Sequence, residues 1–144
     1  SLDRRQRQMC IRDSMINSSN RNTLEKTLDI EFVEIGDDFL VAKMPVTPKV
    51  HQPDGVLHGG ATAALAESVG SAASYFSINR DKKIVRGIVI SANHVKAISQ
   101  GFVYAKASPI HKGRTTQLWK IEITDEKNNL ISHCKLSTLI LDKK

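Results

Sequence analysis

The chain has 144 residues, with 21 Lys and Arg against 15 Asp and Glu for a formal charge of +6, and 40% apolar and 25% charged side chains. These values fit one globular domain that buries roughly two-thirds of its unfolded surface, and they exclude wholesale disorder and a two-domain enzyme. Two cysteines, Cys10 and Cys134, make no disulfide scaffold, and no C-x-x-C pair offers zinc or dithiol chemistry, so a cytoplasmic location is expected.

Residues 1–14 carry four Arg against two Asp and lack the apolar run of a secretory signal. They are expected to be a non-native or disordered leader ahead of Met15, with residues 15–144 forming a single domain. Within that domain residues 15–79 hold four basic and eight acidic side chains, and residues 80–144 thirteen basic and five acidic. The second half faces anions, for which nucleic acid, a phosphate-bearing small molecule and plain solubility are the readings. An aromatic content of 5% and the lack of Lys or Arg runs or zinc-finger spacing argue against nucleic acid.

In chain order, Thr23 to Leu28 reads as a short helical lead. Asp29–Ile35 and Asp38–Val46 read as strands joined by a hairpin turn at Gly36-Asp37. Pro45, Pro48 and Pro53 punctuate a loop that ends in His58-Gly59-Gly60. From Gly59 to Asn79 nearly every side chain is small or apolar, the pattern of a helix buried all round, and its Gly, Ser, Thr and Glu67 argue against a membrane span. Four further strands are expected at Ile84–Ile98, Phe102–Pro109, Arg114–Asp125 and Leu130–Asp142. Short turns at Gln100-Gly101, Lys112-Gly113 and Glu126–Asn129 should make sequential neighbours antiparallel hairpins. The fold class is α+β, an antiparallel sheet wrapped around one long central helix.

Glu67 is the only charged side chain between His58 and Arg80, and an unpaired carboxylate in a buried helix is costly. Ser71 and Ser74 follow it on one face, a stripe that can line a cleft; the alternative is that Glu67 faces solvent at a gap in the sheet or pairs with a basic strand residue. At the helix start, Gly59 and Gly60 leave unpaired N–H groups that suit an oxyanion or a polarised carbonyl, or they simply make a tight junction. Cys134, on an apolar strand face, reads as a core thiol.

The run Gln52-Pro53-Asp54-Gly55-Val56-Leu57-His58-Gly59-Gly60, Ala61–Leu65 and Ala66-Glu67-Ser68 resembles the hotdog-fold acyl-CoA thioesterases. It is most similar to the bacterial branch of 1,4-dihydroxy-2-naphthoyl-CoA hydrolases of menaquinone synthesis and enterobactin proofreading thioesterases. The likeness runs from about Leu28 to Leu141 and includes Ile35-Gly36-Asp37-Asp38, Met44-Pro45-Val46, Ala92-Asn93-His94 and Pro109-Ile110-His111-Lys112-Gly113.

The resemblance implies hydrolysis of an aromatic CoA thioester, with Glu67 as nucleophile or general base and the Gly59 N–H polarising the carbonyl. Gln52 and His58 stand nearby, Ser71 positions water, His94 lies near the acyl group, and Gly60 is a further substrate-binding residue. It implies a dimer, or a dimer of dimers that makes a homotetramer, in which one chain supplies Gln52, His58 and Gly59 and the other Glu67 and Ser71. Coenzyme A is then part of the substrate and no separate cofactor or metal is expected. Arg86, Lys112 and Arg114 are the candidate phosphate contacts, and Val69, Tyr75, Phe76 and Val89 the candidate pocket walls. A broad-specificity or proofreading thioesterase acting on acyl-CoA or acyl-carrier thioesters, and a non-catalytic acyl-CoA-binding protein, are the competing readings. No G-x-S-x-G motif supports an α/β-hydrolase.

Overall fold

The computed structural model describes residues 22–144 and, ahead of them, Arg5, Gln6 and Met9; the expected boundary between residues 14 and 15 lies outside the described residues. A single helical turn, Leu24–Thr27, leads into strands β1 (Glu31–Ile35) and β2 (Leu40–Pro45) and a 3-10 turn at Pro48–Val50. The central helix, Gly59–Phe76, follows, and then β3 (Lys83–His94), β4 (Phe102–Lys112), β5 (Thr116–Thr124) and β6 (Leu130–Asp142). The six described strands make one antiparallel sheet in the order β1-β2-β4-β5-β6-β3, and the helix packs against β2 through β6. This is the expected α+β arrangement.

Alternation decides which face is buried. Leu40, Ala42 and Met44 of β2, Val103, Ala105 and Ala107 of β4, Trp119, Ile121 and Ile123 of β5, and Cys134 and Leu136 of β6 turn inward. There they meet Leu65, Ala66, Val69 and Ala73 of the helix. The helix lies close because Gly70 faces the sheet: a Cβ there would come to 2.7 Å from Leu136 Cδ2. Gly36 has a comparable reason, since the Phe39 ring occupies the space that its side chain would need.

One expectation about connections is overturned. The turn at Gln100-Gly101 does not join neighbours: β3 pairs with β6 at the far edge and β4 pairs with β2. Strand pairing also stops at His94 rather than Ile98, because the N–H groups of Val95 and Lys96 both turn to Ile131 O. The chain then crosses the helix start, where Leu57 N–H donates to Ile98 O at 2.8 Å, before entering β4. Short connections favour hairpins only where the strands they join compete for no better partner, and β6 offers β3 a register from Lys83 to His94.

At the β5–β6 turn Asn128 has φ +66°, and the Asp125 carboxylate accepts from the side chain of Asn129 and from the N–H groups of Asn129 and Lys127. Those bonds to the charged form, the Asn129 side chain first, hold Asp125 below its ordinary range. The stability they contribute is present above the ordinary carboxylate range and is lost as pH falls.

Cys134 is a free thiol with 0% exposure, as expected of a core position. Burial pushes its titration up, against a smaller opposing effect of the Ser132 hydroxyl at 3.4 Å. A raised value keeps the thiol protonated, so its contribution to stability holds at neutral pH and fades only as pH rises through the raised value. Native protein at pH 7.5 (about the neutral optimum of stability) will leave Cys134 unmodified by iodoacetamide, and denaturant will expose it; peptide mapping distinguishes the two.

Candidate active site

The start of the central helix is assembled by backbone bonds from three segments. His58 N–H donates to Val50 O at 2.8 Å, Leu57 is held by Ile98, and Gln52 N–H closes on Val56 O at 2.8 Å around Gly55, which has φ +79°. His58 is the N-cap. Its Nδ1 accepts from Gly60 N–H at 2.7 Å, and its carbonyl accepts from Ala61 and Thr62 N–H at 3.0 and 3.1 Å. Of the first four helix amides, three are thereby used, and the Gly59 N–H has no partner among the described residues at the positive end of the helix.

The same bonds orient two side chains. With Nδ1 of His58 occupied as an acceptor, the neutral ring carries its proton on Nε2 and presents a donor. Gln52 Oε1 accepts from Asp54 N–H, so its NH2 group is left to donate. His94 closes the other side of Gly59: a Cβ on that glycine would lie 2.9 Å from His94 Nε2, while His94 Nδ1 is 3.0 Å from the Ser132 hydroxyl. His58, Gly59, Gly60 and His94 therefore form one cluster of imidazoles and glycines around an N–H with no partner among the described residues, and Gln52 lies in the turn that leads into it.

Glu67 is not part of that cluster. Eight residues beyond Gly59, it lies about 12 Å farther along the helix axis. It is exposed, and this corrects the expectation of burial: the helix runs beside β3, an edge strand, so its flank is open on that side in a single chain. The carboxylate rests over Gly87, where a Cβ would come to 3.0 Å from Glu67 Oε2. Ser71 is half-buried on the same flank, but Ser74 lines no cleft. It is fully buried against Gln117 and Thr138 at 2.7 and 2.9 Å.

The candidate phosphate contacts do not converge. Arg86 pairs in register with Leu139 on the face of the sheet away from the helix, and its guanidinium donates to Val85 O. Lys112 lies 4.0 Å from the Asp38 carboxylate, and Arg114 is exposed in the β4–β5 turn. Two candidate pocket walls are also misplaced: Val69 has 0% exposure in the core, and Val89 lies opposite Ser137 on the outer face. Tyr75 and Phe76 sit at the helix end with their rings 5.4 Å apart beneath the Arg80 guanidinium. Among the described residues no group of three or more His, Cys, Asp or Glu could hold a metal ion, and no helix is long and apolar enough to cross a membrane.

Gly87, Gln117 and Ser132 are further residues at these contacts that the sequence expectations do not include. A glycine inside a strand signals close approach, and Gln117 is a polar residue at an inward position of the 117, 119, 121, 123 alternation; both signals were present. Ser132 gave no signal beyond its inward parity.

A six-stranded antiparallel sheet around one long helix is the architecture of a hotdog domain. Residues 54–132 match the Thioesterase superfamily, more than half of the chain, and the chain belongs to that family and is a thioester hydrolase. It is 46% identical over 126 residues to the proofreading thioesterase EntH of Cronobacter turicensis, spanning 88% of this chain and 91% of that protein. It is 44% identical over 126 residues to the 1,4-dihydroxy-2-naphthoyl-CoA hydrolase of Escherichia coli, spanning 88% and 92%. Among solved structures, a mutant of thioesterase PA1618 from Pseudomonas aeruginosa superposes with a TM-score of 0.87 at 35% identity, covering 90% of this chain and 94% of that one. Thioesterase HI1161 from Haemophilus influenzae gives 0.84 at 38%, covering 88% of each.

Proposed function

We propose that the protein hydrolyses aromatic CoA thioesters to the free acid and CoA, at sites shared between two copies of the chain. The observation that carries this is the separation within one chain between the free Gly59 N–H and the Glu67 carboxylate, both lying along β3.

The two sheet edges differ in kind. β1 is five residues long, bulged at Val33 and charged at Glu31 and Glu34, the features that blunt an edge. β3 is twelve residues long and exposes Ile88 and Val89 at 52% and 60%. Gly87, under Glu67, and His94, beside Gly59, are seven residues apart, so their midpoint lies between Ile90 and Ser91. Antiparallel pairing of two β3 edges about that midpoint sets Gly87 opposite the partner subunit's His94. Each carboxylate then faces the other chain's helix start, and closed two-fold symmetry makes two identical sites.

In such a site the Gly59 N–H and the Gln52 NH2 bind the thioester oxygen and stabilise the charge that develops on it. The partner subunit's Glu67 takes a proton from water, which attacks the carbonyl carbon, or attacks that carbon itself to give an acyl anhydride that water then hydrolyses. The C–S bond breaks, and His58 Nε2–H stands ready to protonate the departing thiolate. Ser71, four residues beyond Glu67, holds the water. Single turnover in 18O-water tests the direct route: label in the Glu67 carboxylate requires an anhydride that water opens at its Glu67 carbonyl, which general-base attack never forms. For the phosphates of CoA, Lys112 ends the helix-side row Lys112, Gln117, Thr138, Gly87, about 14 Å from the carboxylate across three strand spacings.

The name of the Escherichia coli relative supports an aryl-CoA substrate. That of EntH supports a second reading, a proofreading enzyme that clears mischarged acyl groups, and the identities of 44% and 46% do not separate them. A thiol-release panel of naphthoyl-, benzoyl-, phenylacetyl- and alkyl-CoA esters with matching carrier-protein thioesters tests both. A dominant aryl-CoA rate is expected; comparable rates across the panel favour proofreading, and saturable binding with no thiol release overturns hydrolysis.

A further inference from the structure

The central helix turns small and apolar side chains toward the sheet, and burial and dispersion, being non-directional, fix neither its axial position nor its rotation closely. One polar tie interrupts that surface. Ser74 donates to Gln117 Oε1 at 2.7 Å and lies 2.9 Å from the Thr138 hydroxyl, all three side chains being buried. Its protons can be assigned. Trp119 Nε1 only donates, and it does so to Gln117 Oε1 at 2.9 Å, so that atom is the amide oxygen; Gln117 Nε2 then donates to the Ser77 hydroxyl at 3.0 Å. Ser74 gives its proton to Gln117 and therefore accepts from Thr138. Ser77 in turn donates to Ser74 O at 2.7 Å, and among the described residues no buried side-chain polar atom lacks a partner.

The tie belongs to the sheet row that ends beneath Glu67, since Gln117 is opposite Thr138 and Thr138 is opposite Gly87. Ser74 and Glu67, seven residues apart, lie two turns apart on one side of the helix. A shift of the helix by a few tenths of an ångström lengthens the Ser74 bonds, and a slip of one turn breaks them. We propose that Ser74, Gln117 and Thr138 are positioning residues, which hold the helix where the Glu67 carboxylate lies over Gly87 at the two-chain site. This role rests on Glu67 being the catalytic carboxylate.

Ser74→Ala and Thr138→Val each remove one hydroxyl from the tie and leave Gln117 bonded to Trp119. Each is expected to lower kcat about tenfold with KM changed less than about twofold, because misplacing a reacting group slows chemistry while the binding groups are untouched. Trp119 is the single tryptophan of the chain, so its indole N–H resonance reports a native fold in each variant. In a Glu67→Gln background, where there is no carboxylate to position, Ser74→Ala should leave the residual rate unchanged. Wild-type kcat in both hydroxyl variants with the indole resonance in place overturns the positioning role, and so does an equal loss in the Glu67→Gln background, which marks general damage. Full activity of Glu67→Gln by itself overturns the reading of Glu67 instead.

Discussion

Glu67→Ala will retain the fold and lose thioester hydrolysis by at least about a thousandfold, the scale of removing a nucleophile or a well-placed general base. The carboxylate is exposed in the single chain and makes no ion pair with a described residue, while alanine suits a helix interior, so stability should change by no more than about 0.5 kcal/mol. Circular dichroism and thiol release, measured on one preparation, separate the two effects. Turnover within tenfold (about 1.4 kcal/mol) of the parent would remove Glu67 from the mechanism. Catalysis would then have to come from the helix start alone, where His58 Nδ1 is already committed to Gly60 N–H and cannot act as a base without releasing it.

Mixing two inactive variants should restore activity. Glu67→Ala keeps the carbonyl-binding half of the site, and His58→Ala keeps the carboxylate. If sites are shared, random association gives half heterodimers, each with one intact and one doubly altered site, so refolding an equimolar mixture should recover about a quarter of parent activity. If each chain holds a whole site, the mixture recovers nothing. A companion variant, Ile88→Lys with Val89→Lys, places charges on the β3 edge in the manner that keeps natural edges from pairing. It is expected to sediment as a folded monomer with no measurable hydrolysis, whereas a lysine pair at the exposed Val33 and Leu24 should leave both assembly and rate unchanged. A dimer that survives the β3 substitutions would place the interface elsewhere.

Both experiments turn on features that differ in how far the sequence shows them. The helix start was legible because its chemistry is local: His58, Gly59 and Gly60 are adjacent, and the rule that a helix leaves its first amides unpaired needs no tertiary information. Glu67 stands out as the one charge in an apolar helix, but its exposure is not legible in the sequence, since a residue on a helix is covered or exposed according to which strand lies beside it. The anion-facing second half of the chain was legible as a charge count, yet Arg86 and Lys112 lie on opposite faces of the sheet. Charge per segment carries no information about face until the alternation is anchored by a known inward residue.

Periodicity and turn chemistry act over a few residues, so the sequence by itself determined the six strands, the central helix, the core position of Cys134 and the unpaired amides at the helix start. The tertiary structure alone decided that β3 leaves β4 and pairs with β6, which makes β3 the apolar edge and opens the flank on which Glu67 sits. It alone brought Ser74 to residues 43 and 64 positions away, Gln117 and Thr138. The physical reason is common to both: strand order and helix placement are settled by competition among non-local pairings for burial and hydrogen bonds, and no local pattern records which of them wins.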